Sequence, residues 1–126
     1  RVRFLGRVAD ADLPGWYHQA HAFVLPANAR AEAFGMVLLE AMASQLPCVT
    51  TEVGSGTSWV VQDGRTGLVV PPRDPQALAQ AIRTLFADPQ RRQAMGRAGR
   101  ARVEAEFTLD KMVARVQAVY EALLEA

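Results

Sequence analysis

The sequence of 126 residues has few of the features that mark several large classes of protein. Its one cysteine, Cys48, excludes an intrachain disulfide and lies in an apolar segment, as a small buried side chain does. Fourteen basic residues nearly balance thirteen acidic ones, which argues against nucleic acid as the main partner. No apolar run approaches the roughly 18 residues of a membrane-spanning helix, and no signal-peptide pattern opens the chain.

Half of the residues are hydrophobic, which is enough for one core and one domain. Segments of strand and helix character alternate along the chain, and this order is typical of a parallel sheet. The strands are predicted at residues 1–6, 22–26, 47–51 and 67–70. The predicted fold class is therefore α/β, with a partial doubly wound (Rossmann-like) parallel sheet of about four strands and C-terminal helices.

Two Asp-Pro pairs, at residues 74–75 and 88–89, predict the starts of two C-terminal helices. The second of these helices carries five arginines between residues 91 and 102 without an intervening acid. We interpret them as a solvated helix face rather than a phosphate or membrane patch, because no aromatic residue is interleaved and Glu104 and Glu106 follow directly.

Two carboxylates stand in an otherwise apolar, helix-forming segment. Glu32 and Glu40 have seven residues between them, and Phe34-Gly35 breaks the pattern just after the first. The apolar residues around Glu40 predict a helix buried on all sides, in which an ionised carboxylate needs polar partners. Glu40 is expected to reach back toward the helix start, where free N–H groups favour an anion. The alternative is that Glu32 is solvated and Glu40 is bonded to backbone in the core.

A second candidate loop follows the strand at residues 47–51. Gly54 and Gly56 permit close backbone approach, and hydroxyl groups surround them, so the loop is either an anion nest or an ordinary glycine-rich turn. The hydroxyl residues are Ser55, Thr57 and Ser58. Trp59 replaces the third glycine of a dinucleotide fingerprint. Because parallel strands end at one edge of the sheet, we expect both loops to meet in one crevice.

These segments resemble the nucleotide-sugar site of family 4 retaining glycosyltransferases of the GT-B fold, and the resemblance covers nearly the whole chain. The matching segments are Pro26 and residues 32–35, 40–42, 46–49 and 63–72. The resemblance implies that residues 1–126 are the latter part of a C-terminal donor-binding domain. The N-terminal acceptor domain and the first two strand-helix units are then absent, and the chain is a piece of a longer protein.

The resemblance also implies roles for individual residues. Glu32 is the expected catalytic residue and holds hydroxyls of the donor sugar, whereas Glu40 holds the ribose hydroxyls of the nucleotide. Backbone N–H groups at residues 34–36 meet sugar or phosphate oxygens, and residues 54–58 approach the diphosphate. The expected donor-binding residues are Glu32, Phe34, Gly35, Met36, Glu40, Gly54, Ser55, Gly56, Thr57 and Ser58. The implied reaction is retaining glycosyl (hexosyl-type) transfer, with no cofactor and no required metal.

Alone, the chain is expected to be inactive, because the Arg/Lys pair that neutralises the leaving diphosphate lies in the absent part. Alternative functions are a non-catalytic sugar-nucleotide-binding or assembly module, or a piece of a GT-B nucleotide-sugar epimerase. The expected location is the cytoplasm, where the longer parent protein is also a candidate for peripheral association with the inner face of the membrane.

The expected partner molecule is a nucleotide sugar, with no nucleic acid. Without its missing neighbours, the strand at residues 22–26 becomes an exposed sheet edge. We expect residues 1–6 to pair beside it, or the chain to associate through it with a second copy or with the missing N-terminal part of the parent.

Overall fold

The computed structural model describes residues 1–125, within which three strands and six helices form. The strands are β1 (Phe23–Leu25), β2 (Cys48–Thr51) and β3 (Gly67–Val70). The helices are α1 (Leu13–Gln19), α2 (Met36–Ala43), α3 (Thr57–Val60), α4 (Pro75–Ala87), α5 (Pro89–Glu106) and α6 (Leu109–Glu125). Strands and helices alternate as the sequence indicates, and the α/β class is confirmed.

The three strands form one parallel sheet in the order β1-β2-β3. Phe23 of β1 lies opposite Cys48, and Thr51 at the end of β2 lies opposite Val70 of β3. Parallel neighbours need a crossover connection, which α2 supplies between β1 and β2 and α3 between β2 and β3. All three strands therefore end at the same edge of the sheet.

Each face of the sheet has its own hydrophobic core. Successive side chains of a strand point to opposite faces, so Cys48 packs with buried residues of α2 and α3, and Val49 packs with those of α4 and α5. Leu38 of α2 and Leu85 of α4 are fully buried on the two sides. Helices on both faces are the arrangement that a parallel sheet requires.

Side-chain caps set the starts of α4 and α5, as the two Asp-Pro pairs predict. Asp74 accepts a hydrogen bond from the Ala77 N–H at 2.9 Å, and Asp88 accepts one from the Arg91 N–H at 2.9 Å. Such a cap satisfies one of the free N–H groups at a helix start and contributes about 1 kcal/mol.

Helix α5 packs very closely on the C-terminal end of α2. A Cβ atom on Gly96 would lie 2.0 Å from the Gln45 carbonyl oxygen, so only glycine permits this approach. Nearby, Arg100 Nη1 donates to the Ala43 carbonyl at 2.7 Å. These contacts fix α5 against the layer of helices that carries α2.

The strand predicted at residues 1–6 does not form, so the sheet has three strands rather than about four. Val2 and Phe4, whose alternation predicted a strand, are 85% and 94% exposed. Alternation yields a strand only where a neighbouring strand pairs with it and a core covers one face. The expected pairing of this segment beside β1 is therefore wrong, and β1 keeps one free edge.

Helix α6 buries none of its residues within the structure and exposes a long apolar stripe. The stripe consists of Leu109, Met112, Val113, Val116, Val119, Tyr120, Leu123 and Leu124. Among residues 1–125, no helix combines the length and the hydropathy needed to cross a bilayer.

Candidate functional site

The two candidate loops lie side by side at the carboxyl edge of the sheet. One follows β1 and leads into α2, and the other follows β2 and leads into α3. The Gly56 N–H donates to the Ala33 carbonyl oxygen at 2.7 Å, which joins the loops through their backbones. A Cβ on Gly56 would lie only 2.8 Å from that oxygen, so the contact depends on glycine. The structure thus brings the two predicted loops together.

Glu32 binds the backbone just ahead of α2, from within the first loop. Its Oε1 atom accepts a hydrogen bond from the Gly35 N–H at 2.9 Å, and the residue is half-buried. Gly35 has φ +81°, in the left-handed region, and a Cβ there would lie 2.8 Å from Leu38 Cδ1. Within the chain, the Gly35 N–H, expected to meet a ligand oxygen, is thus bonded to Glu32, and the carboxylate at the helix start is Glu32 rather than the expected Glu40.

Glu40 is exposed, so the expectation that it lies in a helix buried on all sides is wrong. Helix α2 packs against the sheet and α5 and buries Leu38, Ala41 and Met42. These contacts cover only part of the helix surface. Met36 and Glu40, one turn apart, stay on an exposed face.

The polar partner of Glu40 is Tyr17 of α1, whose hydroxyl donates to Glu40 Oε2 at 2.8 Å. Partial burial, together with this hydrogen bond and the nearby carboxylate, raises the pKa of Tyr17 well above its usual value. The tyrosine thus remains a neutral donor, and the carboxylate keeps further lone pairs for other donors. Both side chains line a groove of about 410 Å³ beside α1, together with Asp10, Leu13, Pro14 and Ser44.

The second loop is held mainly by its own polar groups. Glu52 accepts from the Gly54 N–H at 2.9 Å, and hydrogen bonding from Ser58 and then from Gly54 lowers the pKa of the Glu52 carboxyl. The buried Thr57 hydroxyl donates to the Thr51 carbonyl at 3.0 Å. Ser55 lies near Thr57, with 3.5 Å between their hydroxyl oxygens. All three predicted hydroxyls therefore have contacts close to the loop: Ser55 with Thr57, Thr57 with the Thr51 carbonyl, and Ser58 with the Glu52 carboxyl.

One arginine side chain lies beside the second loop, and another binds the end of the helix that follows it. A Cβ on Gly54, which has φ +68°, would lie 3.7 Å from Nε of Arg30 in the first loop. Arg102 of α5 donates to the Trp59 and Val60 carbonyls at the end of α3. Sequence patterns missed both Arg102 and Tyr17, because each acts on a residue more than 20 positions away along the chain. In residues 1–125, no group of three His, Cys, Asp or Glu side chains is arranged to hold a metal.

The sequence profile of the family described as glycosyl transferases group 1 matches residues 1–88. The chain belongs to this family. The glycosyltransferase resemblance is thereby confirmed, while the assignment to family 4 stays a prediction.

Two relatives illustrate the similarity of this group 1 chain to named glycosyltransferases. D-rhamnosyltransferase WbpZ of Pseudomonas aeruginosa is 45% identical over 107 residues, which are 85% of this chain and 28% of the relative. O-antigen chain mannosyltransferase C of Escherichia coli is 36% identical over 125 residues, which are 99% of this chain and 34% of the relative. The chain thus spans about a third of the length of these relatives.

Solved structures agree with the group 1 assignment. Sucrose-phosphate synthase from Thermosynechococcus elongatus superimposes with a TM-score of 0.87 at 35% identity, over 99% of this chain and 31% of the synthase. HepE of Anabaena in complex with UDP-glucose superimposes with a TM-score of 0.82 at 28% identity, over 100% of this chain and 33% of HepE.

Proposed function

We propose that this group 1 chain is the part of a retaining glycosyltransferase that binds a nucleoside-diphosphate sugar donor. The observation that carries the proposal is the backbone contact between the two loops at the carboxyl edge of the sheet. Open α/β sheets bind ligands in the crevice at this edge. The chemistry is favourable too, because carboxylates accept hydrogen bonds from hydroxyls and backbone N–H groups bind phosphates. The complex of HepE with UDP-glucose gives the same class of ligand in a structural relative.

Within this proposal, the two glutamates have separate tasks. Glu40 accepts hydrogen bonds from the ribose hydroxyls, and its bond from Tyr17 holds the carboxylate in one orientation. Glu32, fixed by the Gly35 N–H, accepts hydroxyls of the donor sugar. Residues 34–36 and 54–58 border the sugar and the diphosphate.

The proposed reaction is glycosyl transfer with a nucleoside diphosphate as leaving group, stabilised by fixed dipoles and cations without a required metal. Arg30 is the cation that this chain offers beside the second loop, and among residues 1–125 it forms no ion pair. One arginine does not balance a diphosphate. The remaining positive charge, the acceptor site and turnover itself are therefore assigned to the parts of the protein outside residues 1–126.

The proposal is tested by calorimetric titration of the intact protein with UDP and with GDP. Saturable heat with either nucleotide is expected, and its absence with both would favour a role in assembly alone. Glu40→Gln should lose about 1.5 to 3 kcal/mol of nucleotide affinity, as for a hydrogen bond to a charged group. Glu104→Gln is the matched control, since this exposed glutamate pairs with Arg100 on the surface of α5. An unchanged dissociation constant in Glu40→Gln rejects the ribose assignment.

Glu32 is tested with two ligands, the bare nucleotide and the complete sugar donor. Glu32→Gln keeps an oxygen for the Gly35 N–H, so the backbone ahead of α2 should keep its shape, whereas Glu32→Ala also removes this hydrogen bond. We expect Glu32→Gln to weaken binding of the sugar donor and to spare the bare nucleotide. Equal losses of affinity for the two ligands would show that Glu32 does not bind the sugar alone, and that the separate roles given to the two glutamates are wrong.

A further inference from the structure

Helix α3 is held at its C-terminal end by a side chain from α5. A single helical turn of four residues is too short to be stable by itself, and the carbonyls at its end lack partners within the helix. Arg102 supplies these partners, with Nε 3.1 Å from the Val60 oxygen and Nη2 2.8 Å from the Trp59 oxygen. A cation at this end of a helix also interacts favourably with the helix dipole.

The same guanidinium lies against a cluster of three aromatic rings, Phe34, Trp59 and Phe107. Its Cζ atom is 5.6 Å from the centre of the Trp59 ring and 5.1 Å from that of Phe107, both within the range of cation–π attraction. Trp59 and Phe107 meet edge to face at 5.2 Å. Phe34 completes the cluster, at 6.2 Å from Trp59 and 6.1 Å from Phe107.

Phe34 belongs to the first loop and Trp59 to the helix that follows the second, so the cluster joins the two loops. The backbone bond from Gly56 to Ala33, next to Phe34, joins them a second time. A displacement of α3 would therefore move the Gly56 end of the second loop relative to Glu32 and the start of α2. Arg102 is the charged side chain of α5 that fixes α3 in place.

We propose that Arg102 is a positioning residue for donor binding. This inference rests on the proposed function of the two loops. Arg102 acts through Trp59 and Phe34 and sets the distance between the first loop, which carries Glu32, and the second loop. The planar fork of arginine suits this task, because it bonds two carbonyls at once and lies along aromatic rings, which the ammonium group of lysine does not do.

The test compares Arg102→Met, Arg102→Lys and the control Arg97→Met in the intact protein. Arg97 lies on an exposed position of the same helix, and its side chain has no hydrogen bond or ion pair among residues 1–125. Each methionine variant removes one positive charge. Binding is measured by calorimetry with whichever of UDP and GDP the unmodified protein binds, well below the melting temperature of each variant.

We expect Arg102→Met to raise the nucleotide dissociation constant by about 3- to 30-fold with unchanged stoichiometry, the range for a residue that acts on a site through its neighbours. Arg102→Lys should fall between Arg102→Met and the unmodified protein, and Arg97→Met should bind normally. If Arg102→Met loses thermal stability but binds as tightly as Arg97→Met, Arg102 only supports the fold and the proposal is wrong.

Hydrogen exchange of backbone amides supplies a readout that needs no ligand. Arg102→Met, but not Arg97→Met, should accelerate exchange both at residues 54–60 and at residues 33–36. Acceleration confined to residues 54–60 would refute the coupling between the loops. If the unmodified protein gives no saturable heat with either nucleotide, the proposed function fails and the donor-binding role of Arg102 fails with it. The exchange data then still decide whether Arg102 holds the loops together.

Discussion

Replacing Gly56 by alanine should separate the two loops of the candidate site. The backbone of Gly56, at φ −67° and ψ −14°, suits alanine, so any effect comes from the added methyl group. That carbon would lie 2.8 Å from the Ala33 oxygen, 3.0 Å from Phe34 Cδ2 and 3.1 Å from Phe34 Cα. Two of these three atoms are backbone and cannot rotate away. The loops must therefore move apart by several tenths of an ångström.

The structure sets the size of the effect. Overpacking by one methyl group costs about 1 to 3 kcal/mol, and the hydrogen bond from Gly56 to Ala33 is worth about 1 kcal/mol. Movement of the loop relieves the overlap but stretches this bond, so the two costs are not fully additive. We expect the free energy of unfolding to fall by about 1 to 3 kcal/mol. Nucleotide affinity at the folded site should fall about tenfold, equivalent to about 1.4 kcal/mol.

Gly15→Ala is the matched control for this substitution. A Cβ on Gly15 meets nothing within 4 Å, and the residue lies in α1, where alanine is favoured over glycine by about 1 kcal/mol. Urea denaturation followed by circular dichroism gives the stability, and calorimetry gives the nucleotide affinity. If Gly56→Ala is as stable as Gly15→Ala and binds nucleotide normally, the close approach of the loops does not shape the site.

Three further predictions concern other parts of the chain. Burial raises the pKa of the Cys48 thiol to about 12, so the native thiol should resist alkylation at about pH 8.5. The thiol ionises at a lower pH in the unfolded chain than in the folded one. Burial of the neutral thiol therefore stabilises the fold fully below about pH 9, and this contribution is lost as the pH rises. Rapid alkylation of the folded protein would contradict this burial. Tyr17→Phe removes the donor to Glu40 and should weaken nucleotide binding less than Glu40→Gln, and a larger loss would mean that Tyr17, not Glu40, meets the ligand. The isolated chain should associate at micromolar concentration through the free edge of β1, and a stable monomer in sedimentation would contradict this.

Local patterns in the sequence determined much of this fold. Asp74 and Asp88 cap the helices that begin at the next residue, each through an N–H group three residues ahead, and such contacts depend on few other parts of the chain. The apolar runs at residues 22–26 and 47–51 become strands, because continuous hydrophobicity at strand length suits a sheet covered on both faces. The glycosyltransferase resemblance was likewise visible in the sequence, since the motifs that carry it are short segments such as residues 32–35 and 46–49.

The tertiary structure alone decided which of these residues are buried and which ones meet. Residues 1–6 alternate as a strand does but have no partner, and Glu40 is exposed because α2 is covered only in part. The hydrogen bond from Arg102 to Val60 joins residues 42 positions apart, and that from Tyr17 to Glu40 spans 23 positions. Periodicity within a segment reports which side chains share a face. The element that covers that face is set by the packing of distant parts of the chain, which local pattern does not contain.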